Sequence, residues 1–165
     1  MTLSPDKLCS REAAAECAQL LPRPLVFVHG LFDLVDRSVV TYLSAARQLG
    51  ATLVVGLRSD ASAAGLADAE APRHAALDRA WVLDALEPVT MIVLFDEASP
   101  AALMRELRPD VHVLPDDEVP SLEEAQLVQS WGGRVAALPC APALPAALRQ
   151  PPRGRGQGPG YPRIA

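Results

Sequence analysis

The feature that most constrains the fold is a buried-strand pattern followed at once by a glycine-containing turn and an amphipathic helix pattern. An apolar run over residues 25–28 ends at His29 and Gly30. A second apolar pattern, at the three-to-four-residue spacing of a helix, covers residues 39–49. Such a unit places a helix N-terminus, with its unpaired N–H groups, over the end of a parallel strand. The pattern therefore predicts an α/β fold with a candidate phosphate site at this turn.

Strand and helix patterns alternate along the rest of the chain. Strands are predicted over residues 25–29, 52–57, 90–95, 111–114 and 134–138. Helices are predicted over residues 10–21, 37–49, 58–66, 74–86, 99–107 and 121–131. This alternation is typical of a parallel sheet covered by helices on both faces. We therefore predict a doubly wound sheet of five parallel strands, with ligands at the carboxyl ends of the strands.

Composition narrows the function classes. Half of the 165 residues are apolar, which suits one globular domain. The apolar runs are too short for a membrane span and no signal-peptide pattern opens the chain, so we expect a cytoplasmic protein. Lys7 is the sole lysine, which leaves the fold without a lysine to face a triphosphate. The cysteines, Cys9, Cys17 and Cys140, have no metal-ligand spacing with the histidines, and we predict no metal site.

The two ends of the chain differ in character from its middle. We expect a flexible N-terminus over residues 1–9, a domain over residues 10–148 and a Pro/Gly/Arg-rich tail over residues 149–165 that is disordered from about Gln150. The arginines of the tail could contact RNA or an acidic surface. The favoured interpretation is an unselected tail in an arginine-rich coding background, and nucleic acid is not the expected partner.

The turn region resembles the signature segment of the cytidylyltransferase-like nucleotidyltransferases, and within them that of the ADP-heptose synthase adenylyltransferase group. That group reads roughly T-N-G-x-F-D-x-L-H-x-G-H-V-x-Y-L. The positions that match are Gly30, Phe32, Asp33, Val40, Tyr42 and Leu43. Asp36 and Val39 stand where the group has its two histidines, Ser38 replaces the glycine between them, and His29 replaces the asparagine.

Further strings extend the resemblance to about residues 11–148. They are Leu53 to Ser62, Asp78-Arg79, Phe95 to Pro100, Leu107 to Val111 and Trp131 to Val135. The resemblance implies a Rossmann-like fold with the 25–29 strand central, flanked by the 52–57 and 111–114 strands. It also implies that phosphate-facing groups are missing. Ala67 and Leu114 stand at two lysine positions, and residues 143–145 stand at a Ser-Thr-Thr motif.

Candidate nucleotide-binding residues follow from the turn and from the matching strings: His29, Gly30, Phe32, Asp33, Arg37, Arg58, Ser59, Asp60 and Arg79. His29 could hydrogen-bond a ligand or cap the turn. Arg37 and Arg58 could replace the missing cations or form surface ion pairs. Arg79 is the foremost candidate for a remaining nucleotide contact, while His74 and His112 are expected to have no role. No residue is assigned as catalytic.

Two functions remain open from the sequence. The first is a homologue that keeps the fold, is catalytically impaired, and acts as a binding or interaction module, as a homo-oligomer or with an active homologue. The second is an active sugar 1-phosphate adenylyl- or cytidylyltransferase that uses arginines, ATP and Mg²⁺. The acidic run Asp116 to Glu118 could bind a divalent ion or form a solvated loop. The resemblance implies a nucleotide or a sugar phosphate as ligand and no membrane partner.

Overall fold

The structure is a computed structural model that describes residues 4–64 and 72–140. Its strands are β1 (Leu8–Cys9), β2 (Leu25–Gly30), β3 (Thr52–Arg58), β4 (Met91–Phe95), β5 (Val111–Pro115) and β6 (Arg134–Leu138). Its helices are α1 (Ala14–Leu20), α2 (Arg37–Arg47), α3 (Asp60–Ala64), α4 (Ala76–Asp84), α5 (Ala101–Leu107) and α6 (Leu122–Ser130). These elements form an α/β fold around one parallel sheet.

The sheet has the order β1-β4-β3-β2-β5-β6, and every described pairing is parallel. Strand β2 is central, as predicted, with β3 and β5 beside it. The chain crosses from one half of the sheet to the other at β2, and such a switch point opens a crevice at the carboxyl ends of the strands. The loop over residues 31–36, which belongs to the signature segment, lies at this crevice because it directly follows β2.

Helices cover both faces of the sheet, which confirms the predicted doubly wound architecture. On one face, α2 and α4 bury Tyr42, Leu43 and Leu83 against alternate residues of the central strands. On the other face, α1, α5 and α6 pack on a second cluster that includes Phe27 and Phe95. The central strands are buried on both faces, which explains why the sequences of β2 and β3 are nearly continuous apolar runs.

The sheet has six strands, so the prediction of five was wrong. Leu8–Cys9, expected within a loose start, pair in parallel with Ile92 and Val93 at the edge of β4. Two residues are too few to show a periodic pattern. The strand forms because it pairs with the edge of β4 and because hydrogen bonds anchor Lys7, the residue before it. The Lys7 backbone N–H donates to Asp84 Oδ1 at 2.7 Å and its Nζ donates to the Leu86 carbonyl at 2.8 Å.

The start of α1 and the end of α2 also differ from the prediction. Helix α1 begins at Ala14 rather than Ser10, because residues 11–13 form a turn before it. Helix α2 ends at Arg47 rather than at residue 49. Position 50 requires glycine, since a Cβ at Gly50 would lie 2.4 Å from the Pro24 carbonyl oxygen. The close approach of the two segments, and not helix termination, needs the missing side chain.

Several predictions fall outside the described residues. They concern residues 1–3, Ala67, the Ser-Thr-Thr position at residues 143–145 and the tail over residues 149–165. Across the described ranges, none of the helices has the length and apolarity that a bilayer span requires.

Candidate functional site

The signature loop, residues 31–36, lies at the carboxyl edge of the sheet between β2 and α2. Phe32 has a positive φ of 50°, a conformation that non-glycine residues seldom adopt. Its ring lies against Gly30, where an added Cβ would be 3.2 Å from the ring. Together with Tyr42, Pro115 and Glu118, the loop lines a cleft of about 210 Å³. Strained backbone beside a cleft is a common property of functional loops.

The N-terminus of α2 is occupied by the protein's own carboxylate. Asp36 is the N-cap residue, and its Oδ1 accepts hydrogen bonds from the Ser38 N–H at 2.9 Å, from the Val39 N–H at 3.2 Å and from the Ser38 hydroxyl. The Ser38 hydroxyl and then the Val39 N–H hold the pKa of Asp36 below its usual range. The donors from which the sequence predicted a phosphate site are therefore engaged by an anion that belongs to the chain.

Asp33 joins the signature loop to the segment before α4. Its carboxylate accepts from the Arg73 and His74 N–H groups, both at 3.0 Å, and lies 3.2 Å from His74 Nδ1. The hydrogen bond from Arg73 is the main reason why the pKa of Asp33 is lowered. His74 thus has a structural contact, although no role was predicted for it.

Arg79 is buried and holds three segments together at this edge. Its Nη1 donates to the carbonyls of Leu31 at 2.6 Å and Arg58 at 2.9 Å, and its Nε donates to the His74 carbonyl at 3.0 Å. Its Nη2 donates to Asp60 Oδ1 at 2.8 Å. Four of the five guanidinium N–H groups are thus used inside the protein. A nucleotide contact by Arg79 stays a prediction, with one N–H group left for it.

Asp60 completes this arrangement, and Ser59 lies beside it. Asp60 accepts from the Ala76 N–H at 3.0 Å as well as from Arg79, and the Ala76 bond is the largest cause of its lowered pKa. The Ser59 hydroxyl accepts from the Ser62 N–H at 3.1 Å at the start of α3. Both candidates lie at the carboxyl end of β3, where their polar groups already have partners within the fold.

The two other predicted arginines lie on different elements, Arg37 on α2 and Arg58 on β3. Arg37 is exposed at the start of α2 and interacts with other groups of the chain. Arg58 donates from Nη1 to the Ser62 hydroxyl and to the Ala98 carbonyl, and its guanidinium lies 5.1 Å from the centroid of the Phe95 ring. Burial is the largest cause of its lowered pKa. The guanidinium groups of Arg58 and Arg79 thus bind different parts of the chain.

His29 points away from α2, onto the face covered by α5 and α6. Its ring stacks against Phe27 and lies 5.4 Å from the ring of His112 on the neighbouring strand. Its Nε2 is 3.9 Å from Glu124 Oε2 on α6. Sequence reasoning assigned no role to His112 and did not name Glu124 as a candidate. The residue spacing could have indicated their proximity only if the strand register had been known.

Four carboxylates act on Cys140, a residue that lines the same cleft. After burial, the negative charges of Asp117, Asp36, Glu118 and Asp116 are what raise the pKa of the Cys140 thiol. Asp36 and the acidic run therefore act on the same region, although they are distant in sequence. Within the described ranges, the potential metal ligands that come together as a group of three are not these carboxylates but His29, His112 and Glu124.

The comparisons with known proteins agree with this architecture. No protein-family model matches the chain. The chain is 46% identical over 138 residues to a D-beta-D-heptose 1-phosphate adenylyltransferase of Bordetella bronchiseptica, covering 81% of this chain and 85% of that protein. It is 43% identical over 144 residues to the bifunctional protein HldE of Methylobacillus flagellatus, but it spans only 29% of the length of that protein.

A solved structure has the same fold. It is the lipopolysaccharide core biosynthesis protein of Thermoplasma volcanium, which superposes with a TM-score of 0.59 at 24% identity over 68% of this chain and 92% of that one. At that identity the superposition shows a similar fold and nothing about function. The extended identity to the Bordetella protein carries the assignment, and the chain belongs to the heptose 1-phosphate adenylyltransferase family, with a nucleotidyltransferase-like α/β domain.

Proposed function

We propose that this chain is a catalytically impaired heptose 1-phosphate adenylyltransferase homologue that acts as a binding or interaction module. The observation that carries the proposal is the Asp36 cap. A phosphate at this helix end would have to displace a carboxylate that already accepts from the Ser38 and Val39 N–H groups. It would also enter a field set by Asp116, Asp117 and Glu118. Like charges at short range disfavour a triphosphate.

The missing donors support the same reading. Nucleotidyl transfer depends on preorganised donors and cations around the developing charge. Loss of a single such donor costs roughly 10²–10³ in rate. This chain has Asp36 and Val39 in place of the histidine pair and Leu114 at a lysine position. The described arginines do not substitute for them as a group, because Arg79 is used inside the fold.

A second function is favoured by the identity to the Bordetella adenylyltransferase. A chain that is 46% identical to a protein of that name could itself transfer an adenylyl or cytidylyl group to a sugar 1-phosphate. In this alternative, ATP and Mg²⁺ bind at the cleft beside the signature loop, and Arg37, Arg58 and Arg79 supply the positive charge. Mg²⁺ would neutralise the carboxylates that otherwise repel the nucleotide.

A thermal-shift titration with ATP, CTP and Mg²⁺ separates the two functions. A nucleotide at a hundred times its dissociation constant stabilises a protein by about 2.7 kcal/mol, a readily measured increase in melting temperature. We expect no shift for this chain and a clear shift for the Bordetella relative under the same conditions. Pyrophosphate release with heptose 1-phosphate or glycerol 3-phosphate is the companion assay, and we expect none.

Nucleotide-dependent stabilisation together with pyrophosphate release would contradict the proposal and favour the active enzyme. For the interaction module, the expected partner is a second copy of the chain or an active homologue. Exposed apolar side chains on α4, Leu77, Trp81 and Val82, offer a surface for it. Light scattering of the purified chain, alone and mixed with the active homologue, measures whether such a complex forms.

A further inference from the structure

A buried group of three side chains lies on the sheet face opposite α2. His29 is on β2, His112 is on β5 and Glu124 is on α6. In the register of the sheet, Phe27 pairs with His112, so His29 is two residues further along β2 on the same face. Helix α6 crosses this face and presents Glu124 four residues before the core residue Val128. Three elements that are distant in sequence thus converge on one point.

The ligand-capable atoms of the group are close together. One nitrogen of each histidine and one oxygen of Glu124 all lie within 4.8 Å of one another. The His29 Nε2 to Glu124 Oε2 separation is 3.9 Å. A tetrahedral Zn²⁺ with bonds of about 2.0–2.2 Å requires donor atoms separated by roughly 3.3 Å. Side-chain rotations that move each donor by about an ångström or less would bring the group to that geometry.

Three of the four ring nitrogens of His29 and His112 are buried and make no hydrogen bond in the part of the chain that the structure describes. His112 is fully buried, and neither its Nδ1 nor its Nε2 makes a hydrogen bond there. His29 Nε2 is also buried and unpaired, and the side chain is 11% exposed. Buried polar groups are nearly always satisfied in proteins. Unpaired imidazole nitrogens close to a carboxylate oxygen form the donor set of a metal site.

Burial acts on all three side chains of the group. It lowers the pKa of His29 to about 3 and that of His112 to about 4, and it raises the pKa of Glu124. A metal ion binds the neutral imidazole and the ionised carboxylate. The positive charge of Arg58 also acts on His29, and the Arg58 guanidinium donates to Ser62 and Ala98 rather than to the group.

We propose that His29, His112 and Glu124 bind one divalent transition-metal ion, with Zn²⁺ the best fit. Two imidazoles and one carboxylate match the three protein ligands of open zinc sites, in which water or another ligand takes the fourth position. Mg²⁺ and Ca²⁺ prefer oxygen ligands, so this site differs from a magnesium site for nucleotide phosphates. Access is through the carboxyl edge of the sheet, where the side chain of Glu124 is 9% exposed.

The test uses the untagged full chain, stripped with a chelator and titrated with ZnCl₂ against a zinc indicator. We expect one Zn²⁺ per chain and an increase in melting temperature. Glu124→Gln and His112→Leu should each weaken binding by more than the roughly 10–100-fold that changes outside a ligand set cause. With Co²⁺, we expect visible bands of a nitrogen- and oxygen-ligated ion without a thiolate charge-transfer band.

Two matched variants control for other ligands. His74→Asn removes the third histidine, which lies outside the group, and Cys17→Ser removes a thiol that lies 3.3 Å from Cys9 Sγ. Both should bind Zn²⁺ as the unmodified chain does. His112→Leu removes buried unpaired nitrogens, so the metal-free variant should melt no lower than the unmodified chain, which separates lost binding from misfolding. Absence of Zn²⁺ binding, or binding that Cys17→Ser abolishes and Glu124→Gln leaves intact, would overturn the proposal.

Discussion

At the residue scale, Arg79 shows how a family-matching position can be structural. The sequence nominated it as a nucleotide contact because it lies in a matching Asp-Arg string. In the fold, its side chain is almost fully buried and binds the carbonyls of Leu31, Arg58 and His74 together with Asp60. These bonds hold the signature loop, the end of β3 and the start of α4 in one arrangement. Arg79 therefore fixes the backbone around the site through internal hydrogen bonds.

We predict that Arg79→Ala lowers the free energy of unfolding by at least about 3 kcal/mol, because each carbonyl left without its buried donor costs about 1–3 kcal/mol. Urea denaturation followed by circular dichroism measures the loss. Arg79→Lys should rescue little of it, since an ammonium group cannot reproduce the planar fork. A change of less than about 1 kcal/mol in Arg79→Ala would contradict this role. Activity lost in this variant would say nothing about nucleotide contact, because the fold itself is damaged.

At the element scale, the β2–α2 unit keeps the geometry of an anion site, but the carboxylate of Asp36 occupies that site. Asp36 is an effective N-cap because its carboxylate accepts from the N–H groups that every helix leaves unpaired. The helix is thereby stabilised by the same interaction that excludes a phosphate. Stability of the element and binding of a ligand compete for one set of donors.

We predict that Asp36→His, Ser38→Gly and Val39→His, made together, increase the affinity for ATP, because they free the helix N-terminus and remove a negative charge. Isothermal titration with ATP and Mg²⁺ measures the change. Asp36→Asn is the matched control, since asparagine caps a helix about as well as aspartate. It should keep the melting temperature and give a smaller gain in affinity. If the triple variant binds ATP no better than the unmodified chain, the cleft is blocked by something other than Asp36.

At the scale of the whole molecule, the first residues complete the sheet. Strand β1 covers the edge of β4, and uncovered edges of this kind promote association between chains. Leu8 packs against the cluster under α2 and α4, and Cys9 packs against the opposite cluster. A strand of two residues therefore contributes to both layers of the core.

We predict that deletion of residues 1–9 lowers the free energy of unfolding by about 2–4 kcal/mol, since hydrogen bonds made by Lys7 and the β1 pairing each contribute about 0.5–1.5 kcal/mol. Chemical denaturation measures the loss, and light scattering should detect self-association through the uncovered β4 edge. Lys7→Ala, which removes only the bond from Nζ to the Leu86 carbonyl, should cause a smaller drop. An unchanged stability after the deletion would mean that this segment is as loose as its sequence suggests.

The sequence by itself determined the architecture of the sheet. Continuous apolar runs over β2 and β3, alternating with helical periodicity, suffice for a parallel sheet covered on both faces, because burial on both sides requires that pattern. Helix ends could also be predicted where a side chain bonds to a backbone group close to it in sequence. A serine followed three residues later by glutamate is typical of a helix start, and Ser121 caps α6 because its hydroxyl accepts from the Glu124 N–H group.

Only the tertiary structure decided which polar groups meet. His29, His112 and Glu124 lie on three separate elements, and their proximity depends on strand register and on the crossing of α6. The role of Arg79 depends on carbonyls from three segments. The edge strand Leu8–Cys9 depends on a partner strand more than eighty residues away. Local patterns record burial and turns, whereas these features arise from long-range contacts that no short window of sequence contains.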